Sequence, residues 1–151
     1  MRLHRIGATS LAGTAEAAFG GQGGVHGSGR WHHRGRPLVY TAAHRSLALL
    51  EILAHLDSRW PLQAMVAWEI EVPEKLIHTP DDLPADWKSN LEATRTYGDE
   101  WLASGRSVAL QVPSVIVPVE ANVLLNPAHP DFRLEWVKAG PEAMEFDPRL
   151  L

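Results

Sequence analysis

Residues 27–56 read GSGRWHHRGRPLVYTAAHRSLALLEILAHL. A glycine-bearing loop ends in Arg30, a short β-prone run from Pro37 to Thr41 carries Tyr40, and an apolar helix follows. Over 46–56 the helix is apolar around its whole circumference, which predicts burial on all sides. One carboxylate, Glu51, stands inside it. A buried carboxylate without partners is costly. Glu51 therefore calls for a cation, a set of donors, or a pKa adapted to catalysis. Arg30 and Tyr40 are the nearest candidates in the stretch. Taken alone, the residues fit two readings: a core carboxylate salt-bridged to an arginine, and the carboxylate of an active site.

Outward from this stretch the elements are short. Arg2 to Ile6 alternates as a strand, placing Leu3 and Arg5 on one face, so that Arg5 points inward. Ala12 to Gly29 carries seven glycines, a density that argues against the interior of a regular element. It is expected to form either a mobile flap over the site or a disordered connection. Leu62 to Val72 is a strand ended by Pro73, and its Glu69 and Glu71 share a face that reads as solvated. Residues 77–87 form a loop, and Asn90 to Ser104 form an amphipathic helix stopped by Gly105, with Gly98 weakening it. Ser107–Val112 and Val115–Val119 are β-rich runs, with Ser114 at the bend between them. Asn122 to Asn126 is a short apolar piece, Pro127–Asp131 a turn, and Phe132–Val137 a final strand. Short strands and two helices without βαβ alternation predict one α+β domain over residues 1–151.

Composition excludes several classes. The chain has no cysteine, hence no disulfide, thiolate metal site or cysteine nucleophile. No run of about 18 apolar residues predicts a membrane span, and the N-terminus MRLHRIGATSLAG lacks a signal-peptide core, so a cytoplasmic location is expected. Residues 1–60 set seven arginines against three carboxylates, whereas the remainder is acidic, giving a net charge of −4. That balance argues against direct nucleic-acid binding. An arginine-bearing N-terminal part suits a compact phosphorylated ligand, because the guanidinium fork matches phosphate oxygens. The histidines at 26, 32, 33, 44 and 55 have no zinc-motif spacing, so no metal site is expected. No G-x-S-x-G elbow supports a serine hydrolase.

Taken together, Leu3-His-Arg5-Ile6, Gly27-Ser-Gly-Arg30-Trp31, Pro37-Leu-Val-Tyr40, Ala48-Leu-Leu-Glu51-Ile-Leu53, Gly98-Asp-Glu-Trp-Leu102, Val112-Pro-Ser114 and Asn122-Val-Leu-Leu-Asn126-Pro-Ala-His-Pro130 resemble the RES-domain family across essentially the whole chain. These are toxins of RES–Xre toxin–antitoxin pairs, named for an arginine, a glutamate and a serine. His32 departs from the pattern, in which a small polar residue or asparagine commonly follows Arg-Trp. The resemblance implies a single RES domain related to ADP-ribosyltransferases. It also implies depletion of NAD⁺ by cleavage of the nicotinamide–ribose bond, through hydrolysis or phosphorolysis, or transfer of ADP-ribose to a protein. NAD⁺ would be the substrate, with no separate cofactor, and the partner would be an Xre-type helix-turn-helix antitoxin whose complex can set the oligomeric state. Glu51, Tyr40 and Arg30 would be catalytic, with Arg5, Arg30, Tyr40, Ser114 and Asn122 binding substrate and Asn126 a rival to Asn122. The contrasting class is a non-catalytic nucleotide-binding module on the same fold.

Overall fold

The computed structural model describes residues 1–56 and 64–150. The fold is α+β, as expected: a seven-stranded mixed sheet in the order β4-β5-β6-β2-β1-β3-β7. Its strands are β1 (Arg2–Ala8), β2 (Val39–Ala42), β3 (Met65–Glu71), β4 (Ile77–His78), β5 (Ala109–Pro113), β6 (Ala121–Leu125) and β7 (Val137–Met144). All neighbours are antiparallel except β4 and β5. The helices are α1 (Thr9–Ala12), α2 (Ala15–Phe19), α3 (Gln22–His26), α4 (Arg45–His55) and α5 (Leu91–Ser104).

Strand alternation sends side chains to both faces, and both are covered. Leu3, Val39, Trp68, Ile70, Val123 and Leu125 pack with Ala12, Ala18 and Phe19 of α1 and α2. On the other face α4 packs Leu47 and Ala48 on Ile6, Ala42 and Ala67. Beside it, α5 sets Trp101 and Leu102 against Trp31, Leu110, Val112 and Leu124.

The sheet is not continuous across its middle. β1 pairs with β3 over seven residues but with β2 through a single pair, His4 and Ala42. Beyond that pair β1 and β2 part. The Tyr40 carbonyl, which faces β1, accepts from the guanidinium of Arg5 (Nη1–O 3.1 Å) where a ladder amide would otherwise stand.

Several expectations are corrected. The glycine-rich segment holds two short helices, α2 and α3, with Gly23 and Gly24 inside α3. The reason is close packing: a Cβ on Gly24 would lie 2.6 Å from the Arg36 carbonyl, and Gly21 has φ +75° against Leu38. Helix α4 is not enclosed. Of its residues only Leu47 and Ala48 are buried, because one side of the helix borders a cavity and another faces solvent. Val115–Val119 is a turn, in which the Ser114 hydroxyl accepts from the amides of Ile116 and Val117. The β-structure expected at 115–119 begins only at Ala121, as β6. The final strand starts at Val137, where it was expected to end, after a 3-10 turn over Leu134–Trp136. Strand β3 is described from Met65, so the expected start at Leu62 lies outside the described residues.

Candidate active site

The parting of β1 and β2 opens into a cavity of about 530 Å³, walled by β1, β2, α4, the 27–32 loop, and the turn after β5. Arg5, Arg30, Tyr40, Glu51 and Asn122 line it, and the structure thus brings together residues 117 positions apart.

Glu51 enters from the cavity side of α4. Its Oε1 accepts from the Asn122 amide at 2.6 Å and from the Ser114 hydroxyl at 2.9 Å. Among the described residues no arginine pairs with it, so two neutral donors, not Arg30, satisfy the carboxylate. Both act on one oxygen. They fix the rotamer of a side chain that lines the cavity and leave Oε2 without a hydrogen-bond partner among the described residues. Ser114 has 0% exposure and lies behind Glu51 rather than on the cavity wall. Its hydroxyl is itself aimed by the Ile116 and Val117 amides, each at 3.1 Å. Asn126 is elsewhere: its side-chain oxygen caps the following turn at the Ala128 amide, so Asn122 is the asparagine of the site.

Arg5 comes from β1. Its Nη1 holds the Tyr40 carbonyl, while its buried Nε has no hydrogen-bond partner among the described residues. Burial pulls its pKa down to about 10. The preceding His4 also lines the cavity, its Nδ1 without a hydrogen-bond partner among the described residues, and burial lowers its pKa, against the nearby Glu69 carboxylate. Arg30 reaches across through Nη1 to the carbonyls of Trp87 and Lys88, both at 3.4 Å, long contacts that leave its other donors without partners among the described residues.

The Tyr40 hydroxyl meets the 29–32 stretch of the loop. It accepts from the Trp31 amide at 3.0 Å and meets His32 Nδ1 at 2.9 Å. Burial raises its pKa well above the ordinary value, so it stays a neutral phenol. His32, only 2% exposed, stood out in the sequence only as a departure from the family pattern, with no role in the site. The available signal was its place directly after Arg30-Trp31. Glu69 and Glu71 do not line the cavity, in keeping with a solvated face; Glu69 lies 3.9 Å from both Arg2 and His4. Among the described residues no cluster of three His, Asp or Glu could hold a metal ion, and no helix is long and apolar enough to cross a membrane.

Chemically, the cavity offers a fixed carboxylate oxygen, a desolvated cation, a second arginine at the rim and an aromatic wall. That set can grip an anion at one end and stabilise positive charge at the other.

Known proteins resemble the chain over most of its length. The chain is 38% identical over 154 residues to the "Toxin Res" of Yersinia enterocolitica, covering 99% of each chain. It is 43% identical over 121 residues to the "Toxin Res" of Photorhabdus laumondii, covering 78% of each. A Sphingobium protein named "Prs ADP-ribosylating toxin" is 39% identical over 140 residues, 87% of this chain and 85% of that one. The RES domain family matches from Arg2 to Asp147, a span that takes in every side chain of the cavity, and the protein belongs to that family.

Proposed function

We propose that the protein is a toxin that cleaves the nicotinamide–ribose bond of NAD⁺ and is restrained by a cognate helix-turn-helix antitoxin. The observation that carries this reading is Glu51, held at one oxygen by Ser114 and Asn122, on the wall of a cavity that the desolvated cation of Arg5 also lines. Breaking an N-glycosidic bond builds oxocarbenium charge on the ribose. The Glu51 carboxylate, its rotamer already fixed, stabilises that charge or holds a ribose hydroxyl without a search at the moment of reaction. Nicotinamide leaves as a neutral base and needs no strong general acid. Arg5 and Arg30 match the pyrophosphate, and Tyr40 supplies a wall for the nicotinamide ribose. In hydrolysis NAD⁺ and water give ADP-ribose, nicotinamide and a proton. With phosphate as acceptor the product is a phosphorylated ADP-ribose.

The relative named as ADP-ribosylating favours a second acceptor, a protein side chain. Purified protein incubated with labelled NAD⁺, with and without inorganic phosphate, separates the three by product. Glu51→Gln preserves volume and should lower turnover by about 100-fold or more, the scale of losing one electrostatic stabiliser. Turnover near the parent rate in a folded Glu51→Gln variant would falsify the mechanism. Expression alone should halt growth with falling NAD⁺, and a co-expressed antitoxin should prevent both. Normal growth and intact NAD⁺ with abundant folded protein would leave the non-catalytic nucleotide-binding module.

A further inference from the structure

His32 is stapled at both ends of its ring. Nε2 lies 2.8 Å from the Gly27 carbonyl, an acceptor only, so Nε2 carries the proton. Nδ1 is therefore the acceptor, and it receives the Gly29 amide at 3.2 Å and the Tyr40 hydroxyl at 2.9 Å. The Tyr40 oxygen in turn accepts from the Trp31 amide. Gly27, Ser28 and Gly29 all line the cavity. Gly29 is packed so closely on the Tyr40 hydroxyl that an added Cβ would collide with it.

We propose that His32 is a positioning residue: a neutral imidazole that fixes the Tyr40 hydroxyl and pins loop 27–29 as a wall of the cavity. This rests on the reading of the cavity as an NAD⁺-cleaving site. The role needs an acceptor and a donor pointing opposite ways from one buried side chain. Protonated His32 would turn Nδ1 into a donor facing the Gly29 amide; the tyrosine hydroxyl can rotate away, but the amide cannot. Burial opposes that protonation and holds the pKa below its ordinary value. The groups facing His32 are Asp99 and Arg95 from α5, acting in opposite senses, the Gly24 and Gly27 carbonyls, and the neutral Tyr40 phenol from β2. Asp99 is already engaged by the amide and ring of His33. Because the folded pKa lies below the unfolded value, the unfolded chain takes the proton first. The staple's contribution to stability is then complete above about pH 6.5 and is lost as pH falls through the folded pKa.

The experiment combines turnover with ring tautomer. His32→Leu and Tyr40→Phe should each lower kcat/KM for NAD⁺, on the order of tenfold for one hydrogen bond to a positioned group. The double variant should be no worse than the poorer single, and His32→Asn should recover most of the loss. Nitrogen-15 NMR should find His32 neutral and protonated at Nε2 at pH 6.5, with the Nδ1 resonance displaced by Tyr40→Phe. Additive losses, no recovery by asparagine, or a His32 protonated at Nδ1 would overturn the assignment. Should the parent protein leave NAD⁺ intact, the functional reading fails, and the tautomer and its response to Tyr40→Phe still decide the role of His32.

Discussion

Arg5 sits where a ladder hydrogen bond should be, its Nη1 on the Tyr40 carbonyl and its Nε unpartnered among the described residues. A half-buried, desolvated charge with so few partners is a burden on the fold, since desolvation is repaid only by good geometry and full hydrogen bonding. An anionic ligand would complete it. Arg5→Met should therefore leave Tm unchanged or raise it while weakening NAD⁺ affinity in the Glu51→Gln background by about 10- to 100-fold. Lower Tm with unchanged affinity would make Arg5 a structural residue. Ser114 should behave in the opposite way. Its hydroxyl serves Glu51 and two backbone amides, so Ser114→Ala leaves buried groups unpaired and should cost about 1–3 kcal/mol of stability, read by urea denaturation, as well as turnover. At this scale much was legible in the sequence. Alternation turned Arg5 inward, and an isolated carboxylate in an apolar helix marked Glu51. The partners of Glu51 were not legible, because Ser114 and Asn122 lie 63 and 71 positions away and only the sheet brings them near.

Among the elements, α5 shows why local propensity misleads. Glycine normally weakens a helix by up to about 1 kcal/mol relative to alanine. Gly98 nonetheless lies inside α5, which runs unbroken from the Asn90 cap to Gly105, where φ is +58°. A Cβ at 98 would collide with the Trp31 carbonyl, so the helix presses its backbone onto the loop that carries Arg30 and His32. Gly98→Ala should thus destabilise the fold by about 2 kcal/mol, the scale of overpacking, and should disturb Arg30. A gain in stability would show that the loop yields freely. The same contact is clamped by His33, whose ring lies 2.7 Å from Asp99 and 3.0 Å from Glu92. Hydrogen bonds to Asp99 and then Glu92 raise its pKa. The folded state therefore holds the proton more tightly, and the clamp's contribution is complete below about pH 6.5 and lost as pH rises through the folded pKa. The stability difference between the parent and His33→Gln should shrink across that rise; a difference independent of pH would remove the imidazolium from the clamp. Helices α4 and α5 and strands β1 to β3 were readable from pattern. The glycine-rich helices were not, since their glycines answer to close approach by Arg36 and Leu38, which no local rule registers.

For the whole molecule, the sheet behaves as two parts, β4-β5-β6-β2 and β1-β3-β7, joined in the ladder by one residue pair. Neither part holds a complete site. Arg5 belongs to one, Tyr40 and Asn122 to the other, and α4 brings Glu51 across from its seat on Ile6 and Ala42. The sequence disclosed an α+β chain but could not disclose the parting, because β1 and β2 are as β-prone as any paired strands and only their register stops. A ligand that spans the cavity should therefore act as a second fastening between the parts. At a hundredfold excess over Kd, binding stabilises the folded state by about 2.7 kcal/mol. In the Glu51→Gln protein, NAD⁺ should raise Tm and slow amide exchange in β1 and β3 together with β2, β6 and the 27–33 loop. Protection confined to the β4-β5-β6-β2 side would mean that the ligand does not reach Arg5. The parting of the sheet would then be a feature of the fold alone, and the anion grip would have to be assigned to Arg30 without it.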